Sequence, residues 1–174
     1  MGLRLIKLSR KYETKLGRMI DEWKADQEAN GTDHSPYAIF RNDYHDFDSY
    51  LAGLEPNPVP EGHVPNSVYF LLDNERDRLL GAVDIRHHLN DELLECGGHI
   101  GDGIRPSERR KGYATKMIGL ALDKCRDLGI DRVLMTCNKT NVGSAKSIIN
   151  NGGVLENELS LPDGTIEQRY WIDL

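Results

Sequence analysis

The order of signals along the sequence predicts an α/β fold: a mixed, mostly antiparallel sheet with one parallel crossover near its middle. Three observations carry this. Runs rich in Val, Leu, Tyr and Ile flank polar turns early in the chain and again at its end, and each pair reads as an antiparallel hairpin. Between them, a glycine-rich extended run, an amphipathic helix and a short apolar run follow one another, the order of a crossover joining parallel strands. Two helix-period segments precede the first hairpin.

Residues 3–8 read as a first strand. Leu16, Met19, Ile20 and Trp23 fall at i, i+3, i+4 and i+7, one buried stripe of a helix, and Phe47, Tyr50, Leu51 and Leu54 repeat that spacing. The polar stretch 30–36 separates these helices, and Pro56, Pro58, Pro60 and Pro65 enforce an irregular loop after them. Residues 67–73 and 78–86 form the first hairpin around Asn74-Glu75-Arg76-Asp77, and a short helical turn occupies 90–95. Residues 97–105 are extended, and their glycines mark a bulge or a close approach. The next helix carries Met117, Ile118, Ala121, Leu122, Cys125 and Leu128 on one side and ends at Gly129. Residues 133–135 are a buried strand, 141–151 a helix stopped by Gly152-Gly153, and 154–159 with 166–173 the closing hairpin around Pro162-Asp163-Gly164-Thr165.

Composition narrows the function classes. With 174 residues and 39% hydrophobic content, the chain is expected to form one domain over 1–174. It has no apolar run of about 18 residues and no signal-like N-terminus, so no membrane partner and a cytoplasmic location are expected. A net charge of -6 argues against a nucleic-acid partner. Cys96, Cys125 and Cys137 lack zinc or disulfide spacing, and although His87, His88 and His99 could gather a metal, the adjacent His87 and His88 point to opposite faces of a strand, so no metal site is expected.

Against this acidic background, Arg109-Arg110-Lys111-Gly112-Tyr113-Ala114-Thr115 stands out as a cationic turn that opens directly into a helix. The first N–H groups of a helix have no intrahelical partner and sit at the positive end of its dipole, which suits an anion. Gly112 permits close approach to the main chain. A solvated cationic run is the competing reading. Neither a Walker A loop nor a Rossmann fingerprint is present.

The spacing Arg109-x-x-Gly112-x-Ala114 between a strand and a helix resembles the pyrophosphate-binding signature of the GNAT acetyltransferase superfamily. Asn138-Lys139-Thr140-Asn141-Val142-Gly143-Ser144 followed by Gly152-Gly153 resembles that family's next segment, and the element order matches over nearly the full chain. The resemblance implies a mixed, mostly antiparallel sheet whose central parallel strand pair is splayed around the cofactor, with helices on both faces. It implies acetyl-CoA as co-substrate, held by Arg109, Arg110, Lys111, Gly112, Tyr113, Ala114 and Thr115, by main-chain groups of Gly103 and Ile104, and by Asn141 and Ser144. Asn141 fits a helix cap equally well.

The implied reaction is direct attack of a substrate amine, from a small molecule, peptide or protein, on the acetyl carbonyl in a ternary complex. A base is then needed. His99 is the first candidate because histidine titrates near neutrality; a buried, satisfied core histidine is the alternative. Asp102 is the second, as base or as holder of a cationic substrate. Ile148 occupies the position where the family often places an acidic Tyr, which motivates a competing reading as a non-catalytic acyl-CoA-binding module. A third reading is a nucleotide binder holding ATP on the basic turn. Trp23, Tyr37, Tyr44, Asp46 and Tyr50 are candidate acceptor-pocket residues, and exposed sheet edges are compatible with a homodimer.

Overall fold

The computed structural model describes residues 2–174. Strand β1 (Leu3–Ile6) leads into helix α1 (Glu13–Asn30), whose buried stripe is Leu16, Met19, Ile20 and Trp23. Gly31 ends α1 in the left-handed region at φ 60, donating its N–H to the Gln27 carbonyl at 2.9 Å. Helix α2 (Phe47–Leu54) starts at Asp46, whose carboxylate accepts from the Ser49 N–H. Then come β2 (Asn66–Asp73), β3 (Arg78–Arg86), the single turn α3 (Asp91–Glu95) and β4 (Ile100–Ile104). After a 3₁₀ turn the chain forms α4 (Tyr113–Asp127), β5 (Arg132–Asn138), α5 (Val142–Ile149), β6 (Val154–Ser160) and β7 (Ile166–Asp173).

The strands make two sheets, ordered β1-β2-β3-β4 and β5-β7-β6, and every ladder within them is antiparallel. Alternation along β2 and β3 divides the first sheet's side chains between two cores. Val68, Phe70, Leu72 and Ala82 pack under α1 and α2. Leu71, Val83 and Ile85 face the other way, where they join Met117, Ile118, Ala121 and Cys125 of α4 and Val133, Met135 and Cys137 of β5. Helices therefore cover both faces of the first sheet. Each fully buried Leu, Ile or Met of these stripes contributes about 1.5–3 kcal/mol through the hydrophobic effect.

The parallel pair expected between β4 and β5 is not a ladder among the described residues. The chain just before β4 touches β5, where Gly98 forms an isolated antiparallel bridge to Met135, and no ladder joins β4 itself to β5. Gly98 has φ 63, and a Cβ there would collide with the Leu134 carbonyl. The approach that joins the two sheets is thus one that only glycine allows. No helix among the described residues is long and apolar enough to cross a membrane.

Candidate active site

Hydrogen-bond parity defines the gap between β4 and β5. The Arg86 N–H donates to His99 O at 2.7 Å and the Arg105 N–H to Leu80 O at 2.9 Å. With the register Gly81↔Ile104 to Ile85↔Ile100 between them, the odd-numbered residues of β4 exchange bonds with β3. Asp102 and Ile104 therefore turn their main-chain groups toward β5. On β5, the Lys139 N–H to Ile166 O bond and the Leu174 N–H to Asp131 O bond commit the odd residues to β7 in the same way. Leu134, Thr136 and Asn138 face back across the gap.

His99 closes the narrow end. Its N–H donates to Leu134 O at 2.8 Å, and its Nδ1 accepts from the Leu134 N–H at 2.9 Å. Both main-chain groups of Leu134 are thereby satisfied across the joint. The ring is buried, and burial, with Arg86 and His88 nearby, pushes its pKa down to about 4. A neutral ring whose Nδ1 lone pair is already bonded carries its proton on Nε2. The first-choice base of the sequence reading thus sits in the role of its alternative, a satisfied buried histidine.

Asp102 lies further along the gap. Its main-chain oxygen accepts from Ser35 Oγ at 3.0 Å, but among the described residues its carboxyl has no hydrogen-bond partner. Burial first, then repulsion from Asp33, raises its pKa to about 6, with Arg86 acting in the opposite sense. The residue as a whole is part-buried, while the carboxyl itself is desolvated. Gly103 packs its missing side chain against Trp23 and Ser35, and parity commits its main-chain groups to Ala82 of β3. The main-chain groups that face the gap are therefore those of Asp102 rather than those of Gly103. Ile104 keeps its N–H on the gap, while its carbonyl accepts from Arg109 Nε at 3.0 Å.

At the wide end lies the cationic turn. Gly112 caps α4 in the left-handed region at φ 81, with no side chain accepting the first helical N–H groups. A Cβ on Gly112 would meet nothing within 4 Å, so the space over the N-terminus is open. Arg110 precedes it at φ 63. The three cations differ in what holds them. Arg109 pairs with Asp26 at 2.8 Å, and Lys111 pairs with the buried Glu108 at 3.1 Å. Burial alone would raise the Glu108 pKa, but hydrogen bonds from Arg76 and Lys111 bring it below the ordinary value. Arg110 is exposed and has no partner among the described residues. Tyr113 Oη accepts from Arg76 at 3.1 Å, and Thr115 Oγ1 donates to Ser147 Oγ at 3.2 Å, locking α4 to α5.

The second segment flanks the same opening. Asn141 caps α5 by accepting from the Ser144 N–H at 3.1 Å, the structural role its residue type equally supported. Burial raises the pKa of the Cys137 thiol to about 11, with nearby Ser144 acting in the opposite sense. Ile148 is fully buried in the core, and Gly153 packs directly on it.

Sequence reasoning missed the groups that hold this machinery. Asp26, Glu22 and Glu108 are acids of unremarkable spacing that fix Arg109, Arg105 and Lys111. The first two lie four apart on α1, the only signal that could have shown them on one helix face. On the α1–α2 face of the sheet, a cavity of about 370 Å³ is lined in part by Tyr37, Arg41, Asn66, Asp84, Arg86 and Glu92. Tyr37 is the one residue of the expected acceptor set that lines it. Trp23, Tyr50 and Tyr44 are committed elsewhere: the first two to the core, Tyr44 to Asp21 at 2.5 Å. Asp46 caps α2.

A family model described as an acetyltransferase (GNAT) domain matches residues 10–154. No curated protein matches the chain by sequence. Among solved structures, a ribosomal-protein alpha-N-acetyltransferase without ligand is 14% identical, covering 100% of this chain and 91% of that one at TM-score 0.68. A microcin self-immunity acetyltransferase in complex with acetyl-CoA and AMP is 18% identical, covering 99% and 93% at TM-score 0.65. Mutant forms of the spermidine/spermine N-acetyltransferase of Vibrio cholerae are 17% identical, covering 98% and 94% at TM-score 0.61.

Proposed function

The chain belongs to the acetyltransferase (GNAT) family, and on that premise we propose that it transfers an acetyl group from acetyl-CoA to a primary amine by direct attack in a ternary complex. We read residues 1–174 as one such domain. The observation that carries the proposal is the unbridged gap between β4 and β5, closed at one end by His99 and opening toward the uncapped N-terminus of α4. That gap suits an extended arm, and the N-terminus suits a pyrophosphate.

The N–H groups of Gly112, Tyr113, Ala114 and Thr115 would cradle the phosphates, with Arg110 and Lys111 adding charge. Arg109 holds the turn against α1 and β4. Asn141 and Ser144 flank the arm from β5. The gap-facing N–H groups of Asp102 and Ile104 are aimed where negative charge develops on the thioester oxygen; one such donor is worth about 3–4 kcal/mol in comparable sites. The Asp102 carboxylate, ionised above pH 6 and unpartnered, accepts the amine proton as the new C–N bond forms and the C–S bond breaks. A thiol with a pKa of about 8–9 departs without a strong acid, so a buried Ile148 is no obstacle. The acceptor enters from the cavity lined by Tyr37, Arg41 and Glu92.

The names of the structural relatives include acceptors as different as polyamines and ribosomal proteins, so this proposal stops at an amine. Ile148 also motivates the non-catalytic reading, which turnover of any amine would remove. Calorimetric titration with acetyl-CoA, repeated on Gly112→Trp and followed by thiol release over a panel of amines, tests the assignment. Binding lost in the variant supports it. Absence of binding to the unmodified chain overturns it.

A further inference from the structure

A second basic feature lies apart from the cationic turn. A cavity of about 270 Å³ opens between the first turns of α1 and the β2–β3 turn, lined by Lys15, Arg18, Arg76, Asp77, Arg78 and Arg105 together with Leu79. On a chain of net charge -6, so many cations around one small space require acids to hold them. Asp77 pairs with Lys15 at 2.9 Å, Asp73 with Arg76 at 2.6 Å, Glu108 with Arg76 at 3.0 Å, and Glu22 with Arg105. Of these acids only Asp77 lines the cavity. The others back the arginines from outside it, so the wall itself is cationic.

Two side chains on that wall keep unused hydrogen-bond donors. Arg18 is exposed and makes no hydrogen bond or ion pair through its side chain among the described residues. Arg78 donates through Nη2 to Ser107 Oγ at 2.9 Å and pairs with Glu22 at 3.5 Å, but its Nε is buried with no hydrogen-bond acceptor; the Glu108 carboxylate, 3.6 Å away, pairs with it by charge alone. A buried donor without an acceptor is rare in folded proteins and marks a place where a group is missing. Guanidinium forks on a common cavity match the geometry of phosphate oxygens.

We propose that this cavity is a second anion site, selective for a phosphate group and separate from the turn at Gly112. Arg76 forms the boundary between them, lining the cavity while bonding Glu108 and Tyr113 on the far side. Phosphate here has two sources, a free phosphorylated metabolite or the 3′-phosphate of coenzyme A.

The test is a titration of the full chain, with ¹⁵N-labelled arginine side chains, by inorganic phosphate at constant ionic strength. The expected result is saturable movement of the Arg18 and Arg78 Nε–H resonances. Arg18→Gln and Arg78→Gln should each weaken phosphate about tenfold, while Arg110→Gln leaves it unchanged. Arg18 is exposed, so its variant stays folded if the Arg78 variant does not. Repetition with coenzyme A and with dephospho-coenzyme A separates the sources. Displacement of phosphate by the first alone identifies the cofactor's own 3′-phosphate; indifference to both identifies a free phosphate. Absence of a saturable shift, or a loss in Arg110→Gln equal to that in Arg18→Gln, overturns the site. The phosphate titration reads the cavity whether or not the chain binds acetyl-CoA, so the two readings fail separately.

Discussion

Replacing Asp102 with Asn should make the protein more stable and less active at once. The carboxyl is buried without a hydrogen-bond partner among the described residues, and burial and Asp33 carry its pKa from 3.8 to about 6. The folded state therefore holds the proton more tightly than the unfolded chain does. Between about pH 4 and pH 6 the folded state binds more protons, so this residue's contribution to stability falls as pH rises through that window. A displacement of about two units corresponds to about 3 kcal/mol above pH 6. The interior relaxes around a buried charge, which offsets part of that and leaves about 1–2 kcal/mol. Asn keeps the shape and removes the charge.

Urea unfolding at pH 4.5, 6 and 7.5 reads the difference directly. The Asn variant should match the parent at the lowest pH and exceed it by about 1–2 kcal/mol at the highest. His99, which titrates in the same range, is present in both proteins and cancels. Thiol release from acetyl-CoA with an accepted amine should fall about 10²–10⁴-fold. A variant that is less stable at pH 7.5, or a stability difference flat in pH, would refute the reasoning. Either result would mean that a partner holds the carboxylate and that it is not poised for a proton.

Other substitutions separate binding from folding. Gly112→Trp should abolish detectable acetyl-CoA binding by calorimetry while costing only about 1–2 kcal/mol in urea unfolding, because its φ is left-handed but its Cβ meets nothing. Arg110→Ala should lower acetyl-CoA affinity about fivefold with an unchanged Tm, whereas Arg109→Ala should lower both, since Arg109 also ties α1 to β4. His99→Ala should lose about 1–3 kcal/mol at pH 7.5 by unfolding, because the buried Leu134 N–H loses the Nδ1 acceptor, while the main-chain bond to the Leu134 carbonyl survives. With its folded pKa depressed to about 4, the His99 contribution is present above about pH 6.5 and is lost as pH falls toward 4, so the variant's deficit should shrink on acidification. Ile148→Tyr should destabilise by about 1–3 kcal/mol and leave the pH profile of turnover unchanged, because the position is core.

Local signals survived folding where the physics is local. The stripe of Leu16, Met19, Ile20 and Trp23, the hairpin turns and Gly112 each depend on a few neighbouring residues, and each lies where its spacing placed it. The relation of β4 to β5 is not local. Strand–helix–strand order fixes the direction of the crossover but not whether rungs form, and here the approach narrows only at Gly98. The gap itself came from family resemblance rather than from periodicity. The three cations at the turn likewise looked equivalent in sequence. Asp26 and Glu108, distant or buried, separate Arg109 and Lys111 from Arg110.

The choice of base shows why residue type alone misleads. In water the imidazole titrates near 6.5 and the carboxyl near 3.8, so sequence favours His99. Burial acts on both but in opposite directions, because it disfavours the charged form of each. Arg86 and His88 depress the histidine further, and Asp33 raises the aspartate further. The order inverts: His99 falls to about 4 and Asp102 rises to about 6. Hydrogen bonding points the same way, since the Leu134 N–H occupies the lone pair that a basic His99 would need, while the Asp102 carboxyl is left open. One desolvated gap thus turns the nominal base into a structural pin and the nominal anion into the group best matched to take a proton near neutral pH.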